Sequence, residues 1–225
     1  MPERLEPFVN NFIYHVFNKT IDQRNIFPDE KNSDYFLKAL NYYRSIKTPI
    51  SLSGLKKLDK TALETILRKN RERQYFRVEI LAYCIMPTHY HLLLKQKLDN
   101  GISRYISDTE NSLTKYFNIK NERIGPIFVP YFKSVRILTE EQLKHVCRYI
   151  HLNPFSSGLI KELSDLKRYP LSSYKSYIMR SKNSLINAEE IMSLFNYNKE
   201  RYRKFVEDRA DYQKCLEVIK YAKKW

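Results

Sequence analysis

Glycine is scarce in this chain, with 4 residues among 225. Loops that cradle the phosphates of a nucleotide are rich in glycine, and the sequence contains neither a P-loop motif nor a dinucleotide-binding fingerprint. We therefore expect no nucleotide cofactor.

Cysteine is also rare, and long apolar runs are missing. The 3 cysteines are widely spaced and fit no zinc-ligand pattern, which favours a reducing compartment. No segment is apolar enough for a membrane span or an amphipathic anchor, and residues 1–4 lack the apolar run of a signal peptide. We expect a cytoplasmic protein without a membrane partner.

Acidic residues are outnumbered, with 25 Asp and Glu against 40 Lys and Arg, so the net charge is +15. A surface of this kind attracts polyanions. Nucleic acid is the most obvious one, because its binding is driven by the release of counterions from the phosphates. Charge alone leaves open a basic protein that is merely soluble.

Two histidines, His89 and His91, lie two residues apart in a stretch that predicts a β-hairpin turning at Pro87-Thr88. Residues two apart in a strand point to the same face and lie about 7 Å apart along the chain. Two such imidazoles can bind one metal ion, while Tyr90 points to the opposite face. The alternative is a coincidence of surface histidines, because a pair leaves a metal site incomplete.

A late helix carries the second candidate group. It begins at Thr139, which forms a capping box with Gln142, and Pro154 predicts its end within the two preceding residues. Tyr149 lies outside the apolar stripe and beside Asn153, one turn later. Spacing alone equally fits a tyrosine that packs at the helix edge.

The order of elements is strand, helix, two strands, helix, strand. This order predicts an α+β fold of the ferredoxin-like split βαβ type, an antiparallel sheet with helices on one face. A helical C-terminal extension is expected at 181–225, after a main domain at 1–180. The predicted strands are 11–17, 76–86, 89–96 and 131–137, and the main helices are 33–46, a short one from 60, 99–117 and one from 139.

Three further features lie outside the proposed metal and tyrosine site, and each has a simple structural interpretation. His15, on the first strand, is expected to be a packed or hydrogen-bonded histidine rather than a metal ligand. His145 points toward solvent and is left out of the site. The basic run 68–73 is either a solvated helix end or a phosphate contact.

Two segments of the sequence resemble those of a known family. The stretch 86–94 resembles the HUH motif of the IS200-like single-tyrosine transposases, and 148–154 resembles the catalytic-tyrosine segment of their REP-associated branch. The resemblance spans roughly 8–178. Weaker similarities are Tyr14-His15-Val16, the run from Gly125 through Phe128 to Tyr131 and Lys133, and Ser172-Ser173-Tyr174.

The chain departs from the family pattern in three places. Thr88 stands where Asn or Asp often precedes the first histidine, and Phe155 stands where Val is common. The segment 48–73 is longer than the usual connection between helix and strand. None of these departures removes a catalytic group.

The resemblance implies a metal-dependent DNA transposase. It implies that His89, His91 and Asn153 hold Mg²⁺ or Mn²⁺, and that Tyr149 attacks a phosphate of single-stranded, hairpin-containing DNA to form a 5′-phosphotyrosine. Such a protein would be associated with the nucleoid, as a monomer or a homodimer.

The expected DNA contacts lie around this centre. Lys133, Arg136 and Arg148 are expected to hold the DNA backbone, and Tyr131 is expected to stack on a base. Two alternatives stay open: a domesticated module that grips hairpin DNA or RNA without cleaving it, and a structural zinc site made of His89, His91 and Cys84.

Overall fold

The computed structural model describes residues 7–179 and 184–214, so Cys215 and the rest of the C terminus lie outside the described residues. The strands are β1 (Ile13–Lys19), β2 (Val78–Met86), β3 (His89–Gln96) and β4 (Lys133–Arg136). The helices are α1 (Glu30–Tyr43), α2 (Lys60–Asn70), α3 (Gly101–Lys120), α4 (Glu140–Ser156), α5 (Tyr174–Ile178), α6 (Glu189–Ser193) and α7 (Lys199–Glu207). None of the described helices is both long enough and apolar enough to cross a membrane.

The four strands form one antiparallel sheet in the order β2-β3-β1-β4. This order confirms the α+β, ferredoxin-like prediction. The hairpin of β2 and β3 turns at Pro87-Thr88, and β3 has the predicted bounds. Helix α1 begins three residues earlier than predicted because the Asp29 side chain accepts a hydrogen bond from the Asn32 amide at 3.2 Å.

Helices cover both faces of the sheet, so the prediction of helices on one face is wrong. One face packs Val16, Leu92 and Leu94 against α1 and α3. The other packs Leu81 and Leu93 against α4 and the C-terminal helices. The central strands are apolar on both sides, and a strand of this kind must bury both of its faces.

Helix α4 continues through Pro154 to Ser156, so the predicted end before the proline is also wrong. A proline removes one helical hydrogen bond and strains the preceding turn. Here Pro154, Phe155 and Ser156 are all buried, and the Ser156 hydroxyl donates to the Leu152 carbonyl at 3.0 Å. Burial of the last turn outweighs the local cost of the proline.

Of the described C-terminal helices, α7 packs directly on α4. Tyr202 and Val206 of α7 are fully buried in the same apolar cluster as Cys147 and Ile150 of α4. Two of the short helices predicted beyond residue 188, α6 and α7, are present in the described part of the chain. The boundary at 180 remains a prediction.

Candidate active site

Strand pairing brings three histidines together on the face of the sheet that α4 covers. In the register, His91 lies opposite Phe17, and His15 is two residues before Phe17 on β1. The ring centroids of His89 and His91 are 5.2 Å apart with the ring planes perpendicular. Nε2 of His15 lies 2.9 Å from Nδ1 of His91.

The hydrogen bond explains His15, which was expected to be a packed or hydrogen-bonded residue. Burial lowers the pKa of His15 to about 4, so its imidazole is neutral near pH 7. In a neutral pair one ring donates and the other accepts. The sequence could not identify His91 as the partner because the register between β1 and β3 is a long-range property; the similarity at Tyr14-His15-Val16 was the available signal.

The first histidine of the pair is held by the turn that precedes it. The Thr88 hydroxyl lies 3.0 Å from Nδ1 of His89. Thr88 therefore forms a polar contact with the His89 imidazole, although it replaces the usual Asn or Asp.

Tyr149 lies on α4 and packs against the histidines of the sheet. Its ring centroid lies 5.5 Å from that of His91 and 5.9 Å from that of His15, both in edge-on geometry. Tyr149 faces the sheet because Cys147 and Ile150, on either side of it, are buried in the core between α4 and β2. The phenol and the imidazoles thus meet within one chain.

Asn153 lies one helical turn after Tyr149 and is only 5% exposed. Its side-chain nitrogen donates to the Tyr149 carbonyl at 3.1 Å, so Oδ1 is the atom that would bind a cation. The Gln213 side chain donates to the same carbonyl at 3.2 Å. The backbone at Tyr149 is therefore fixed by two side-chain amides.

The basic residues of β4 lie on opposite faces of the sheet. Lys133 lies opposite Phe17, so it shares the face of the histidines, and it is exposed. Arg136 lies opposite Tyr14 on the other face, and its guanidinium stacks 3.8 Å over the Phe12 ring. The structure brings Lys133 toward the site and places Arg136 away from it.

Arg148 is engaged by the C-terminal segment. Its guanidinium lies 4.5 Å from the Phe205 ring centroid, and Nη2 donates to Nδ1 of His145 at 2.6 Å. Tyr131 is 65% exposed and has a positive φ of 64°, which is uncommon for a bulky residue. The roles of these residues in DNA contact remain predictions.

A buried carboxylate lies behind the histidine strand, at a position that no sequence pattern predicted. Glu110 of α3 accepts from the Tyr90 hydroxyl at 2.6 Å and from the Asn18 side chain at 2.8 Å. Burial raises the pKa of Glu110 to about 7. Because Tyr90 lies between His89 and His91, this contact fixes the strand from its opposite face.

The donor set distinguishes between the two metal hypotheses. Among the described residues no group of three or more His, Cys, Asp or Glu side chains could hold a metal ion, so the zinc site with Cys84 is not supported. Cys84 is fully buried, and its thiol donates to the sulfur of Met86. Two imidazoles and an amide oxygen are a set that fits Mg²⁺ or Mn²⁺, with water and phosphate oxygens as further ligands.

Comparisons with known proteins show the family of this chain. A family model described as "Transposase IS200 like" matches residues 8–153. A REP-associated tyrosine transposase of Escherichia coli (strain K12) is 27% identical over 117 residues, which cover 51% of this chain and 64% of that protein. The chain thus spans somewhat less than two thirds of this curated relative.

A solved structure adds support for the fold. It is described as a REP-associated tyrosine transposase bound to a REP hairpin, and it shares 15% sequence identity with a TM-score of 0.54. The match covers 85% of this chain and 93% of that one. With the family model matching well over half of the sequence, this chain belongs to the IS200-like transposase family.

Proposed function

We propose that this protein cleaves and rejoins single-stranded DNA next to a hairpin, with Tyr149 as the nucleophile. The observation that carries the proposal is the edge-on contact between the Tyr149 and His91 rings, 5.5 Å between centroids. The REP-associated relative and the hairpin-bound structural neighbour support the choice of substrate. No nucleotide is needed, because the phosphotyrosine bond conserves the energy of the phosphodiester.

His89, His91 and Asn153 would hold Mg²⁺ or Mn²⁺ through their imidazole nitrogens and amide oxygen. A bound ion would supply polarisation of the scissile phosphate and stabilisation of its developing charge.

His15 would act as a positioning residue for His91. If Nδ1 of His91 carries the proton and donates to His15 across the observed 2.9 Å, the lone pair of His91 lies on Nε2, the ring atom that binds a cation. Metal-binding histidines commonly donate their other ring nitrogen to a neighbouring acceptor, which fixes both tautomer and ring orientation.

In the proposed reaction, the phenol oxygen of Tyr149 forms a bond to phosphorus while the bond from phosphorus to the 3′ oxygen breaks. The phenol loses its proton, and the departing 3′ oxygen gains one. The product is a 5′-phosphotyrosine beside a free 3′-hydroxyl, and attack by another 3′-hydroxyl reverses the step. Since a free phenol has a pKa of about 10, Tyr149 would need the bound metal ion or a nearby base to remove its proton.

Lys133 and Tyr131 are the DNA contacts that the geometry supports best. Both are exposed, and Lys133 lies on the histidine face of the sheet. The strained backbone of Tyr131 holds an exposed aromatic ring where a base could stack.

Substitution of Tyr149 tests the proposal directly. The Tyr149→Phe variant should form no covalent adduct with a pool of hairpin-flanked single strands in Mn²⁺, while its DNA affinity stays within about twofold. Tyr197→Phe, an exposed tyrosine far from the histidines in sequence, is the matched control and should retain the adduct.

A covalent band that survives Tyr149→Phe would rule out the assignment. Hairpin binding by the unaltered protein without any adduct would favour the domesticated, non-cleaving module instead.

A further inference from the structure

Three arginines meet at a cavity that lies away from the histidines. The cavity has a volume of about 510 Å³ and lies beside the first residues of β2. Its charged lining consists of Arg44, Arg71, Arg73 and Glu79. The charged part of the lining therefore contains three cations and one anion.

Arg44 is the buried member of this group, with 7% of its surface exposed. Its Nη1 donates to the carbonyls of Ser184 and Leu185 at 2.8 and 3.2 Å, and its guanidinium lies 4.2 Å from the Phe76 ring centroid. Its Nε is buried and has no hydrogen-bond partner among the described residues. A buried donor in this state is costly unless a water, an ion or a ligand satisfies it.

The charge around Arg44 is not compensated within the described chain. Burial lowers the pKa of Arg44, Tyr105 offsets part of this effect, and the nearby positive charge of Arg73 lowers the pKa further. No described carboxylate lies within ion-pair distance of Arg44, Arg71 or Arg73. The cavity therefore presents unneutralised donors to an incoming anion.

The longer connection at 48–73 places two of these arginines. Asn70, the last residue of α2, is buried, and its side chain donates to the carbonyls of Tyr42 at 2.9 Å and Lys47 at 3.3 Å. This anchor ties the end of α2 to the end of α1, immediately before Arg71 and Arg73. The insertion thus delivers two exposed cations to a fixed position beside Arg44.

We propose that this cavity binds a backbone phosphate of the nucleic acid that the active site holds, and the inference rests on the proposed function. Guanidinium groups match phosphate oxygens in geometry as well as charge. Ile80 of the cavity lies four residues along β2 from Cys84, which pairs with His91. That separation is roughly 13 Å along β2. A β-bulge lies between the two positions and Ile80 packs on the sheet face opposite the histidines, so the DNA would reach the cavity around the edge strand β2.

The test compares two double variants of the same insertion. Arg71→Gln with Arg73→Gln removes the cavity cations, and Lys56→Gln with Lys57→Gln removes two exposed cations that do not line the cavity. Binding of a hairpin DNA with a duplex stem is measured as a function of salt. We expect the arginine variant to lower the salt slope by about 0.9, which corresponds to one lost phosphate contact, and the lysine variant to leave it unchanged.

A second arm separates DNA phosphate from a free anion, with pyrophosphate as the probe in thermal denaturation. An unchanged salt slope in the arginine variant overturns the proposal, and so does an equal fall in the lysine variant. Pyrophosphate that stabilises only the unaltered protein, with no change in DNA slope, also overturns it in favour of a small-anion site. Adduct formation at saturating DNA should be retained in both variants, so failure of the cavity and failure of Tyr149 are distinguishable.

Discussion

At the scale of single residues, local spacing predicted the contacts that depend on neighbours in sequence. The two histidines on β3 follow from strand alternation, and the position of Tyr149 beside Asn153 follows from the helical repeat. His15 and Glu110 could not be assigned in the same way. Their partners, His91 and Tyr90, are 76 and 20 residues away, and only tertiary structure brings them together.

Replacing His15 should weaken metal binding without removing a metal ligand. The His15→Phe variant keeps an aromatic ring but loses the acceptor for His91, so we expect the Mn²⁺ affinity to fall roughly tenfold to a hundredfold. Titration calorimetry or the loss of the free Mn²⁺ electron paramagnetic resonance signal measures this. The control is His145→Gln, a half-exposed histidine paired with Glu141, and equal affinities in the two variants would contradict the role of His15.

Glu110 should give the protein a characteristic pH dependence of stability. Its pKa in the folded state, about 7, is above its ordinary value of 4.5, so the folded protein holds this proton more tightly than the unfolded chain. The wild-type free energy of unfolding should therefore fall as the pH rises from about 4.5 to about 7, then level off with respect to this group.

The Glu110→Gln variant lacks this ionisation. Relative to wild type, it should gain roughly 2–3 kcal/mol in free energy of unfolding between pH 5 and pH 8, measured by urea denaturation. The buried histidines titrate alike in both proteins and cancel in the difference. A difference that does not change with pH would show that Glu110 is not buried as an acid.

At the scale of elements, the hairpin and the start of α4 were predictable because each rests on local chemistry: a Pro-Thr turn and a Thr cap. The end of α4 was not, because burial of its last turn decides whether the helix continues past Pro154. Strands β2 and β3 are apolar on both sides, which indicates that both sheet faces are covered. The order of elements had instead suggested helices on one face only. Strand β4 is the clearest case, since its pairing with β1 decides which of its basic residues faces the site.

The two basic residues of β4 should therefore differ in DNA binding. Lys133→Gln should lower the hairpin-DNA salt slope by about 0.9 and weaken binding several-fold, because it removes one phosphate contact on the histidine face. Arg136→Gln should leave the slope unchanged and act on stability, through its lost stacking on Phe12. Fluorescence anisotropy across a salt series measures both, and a larger effect of Arg136→Gln would reverse this assignment.

At the scale of the whole molecule, the fold class, the family and the attraction to polyanions followed from sequence order, motifs and net charge. The arrangement within one chain did not. Tyr149 meets the histidines of its own chain, and helix α7 packs on the helix that carries it.

A mixing experiment tests that arrangement. Equimolar Tyr149→Phe and His91→Ala chains should yield no covalent adduct, because neither chain contains a complete site. Each variant alone is the baseline, and the unaltered protein at the same total concentration is the positive control. Recovery of the adduct in the mixture would mean that the tyrosine acts on the histidines of a second copy.

The carbonyl of Tyr149 accepts from two side-chain amides, one of its own helix and one from the C-terminal segment, while the neighbouring turns are sealed into the core. A tyrosine whose backbone is fixed in this way has little freedom to move the DNA end attached to it. In the proposed reaction the attached 5′ end would remain at the cleavage site, and the 3′ end that attacks it would have to move there. Strand exchange would then depend on bending and refolding of the DNA rather than on movement of the helix that carries the tyrosine.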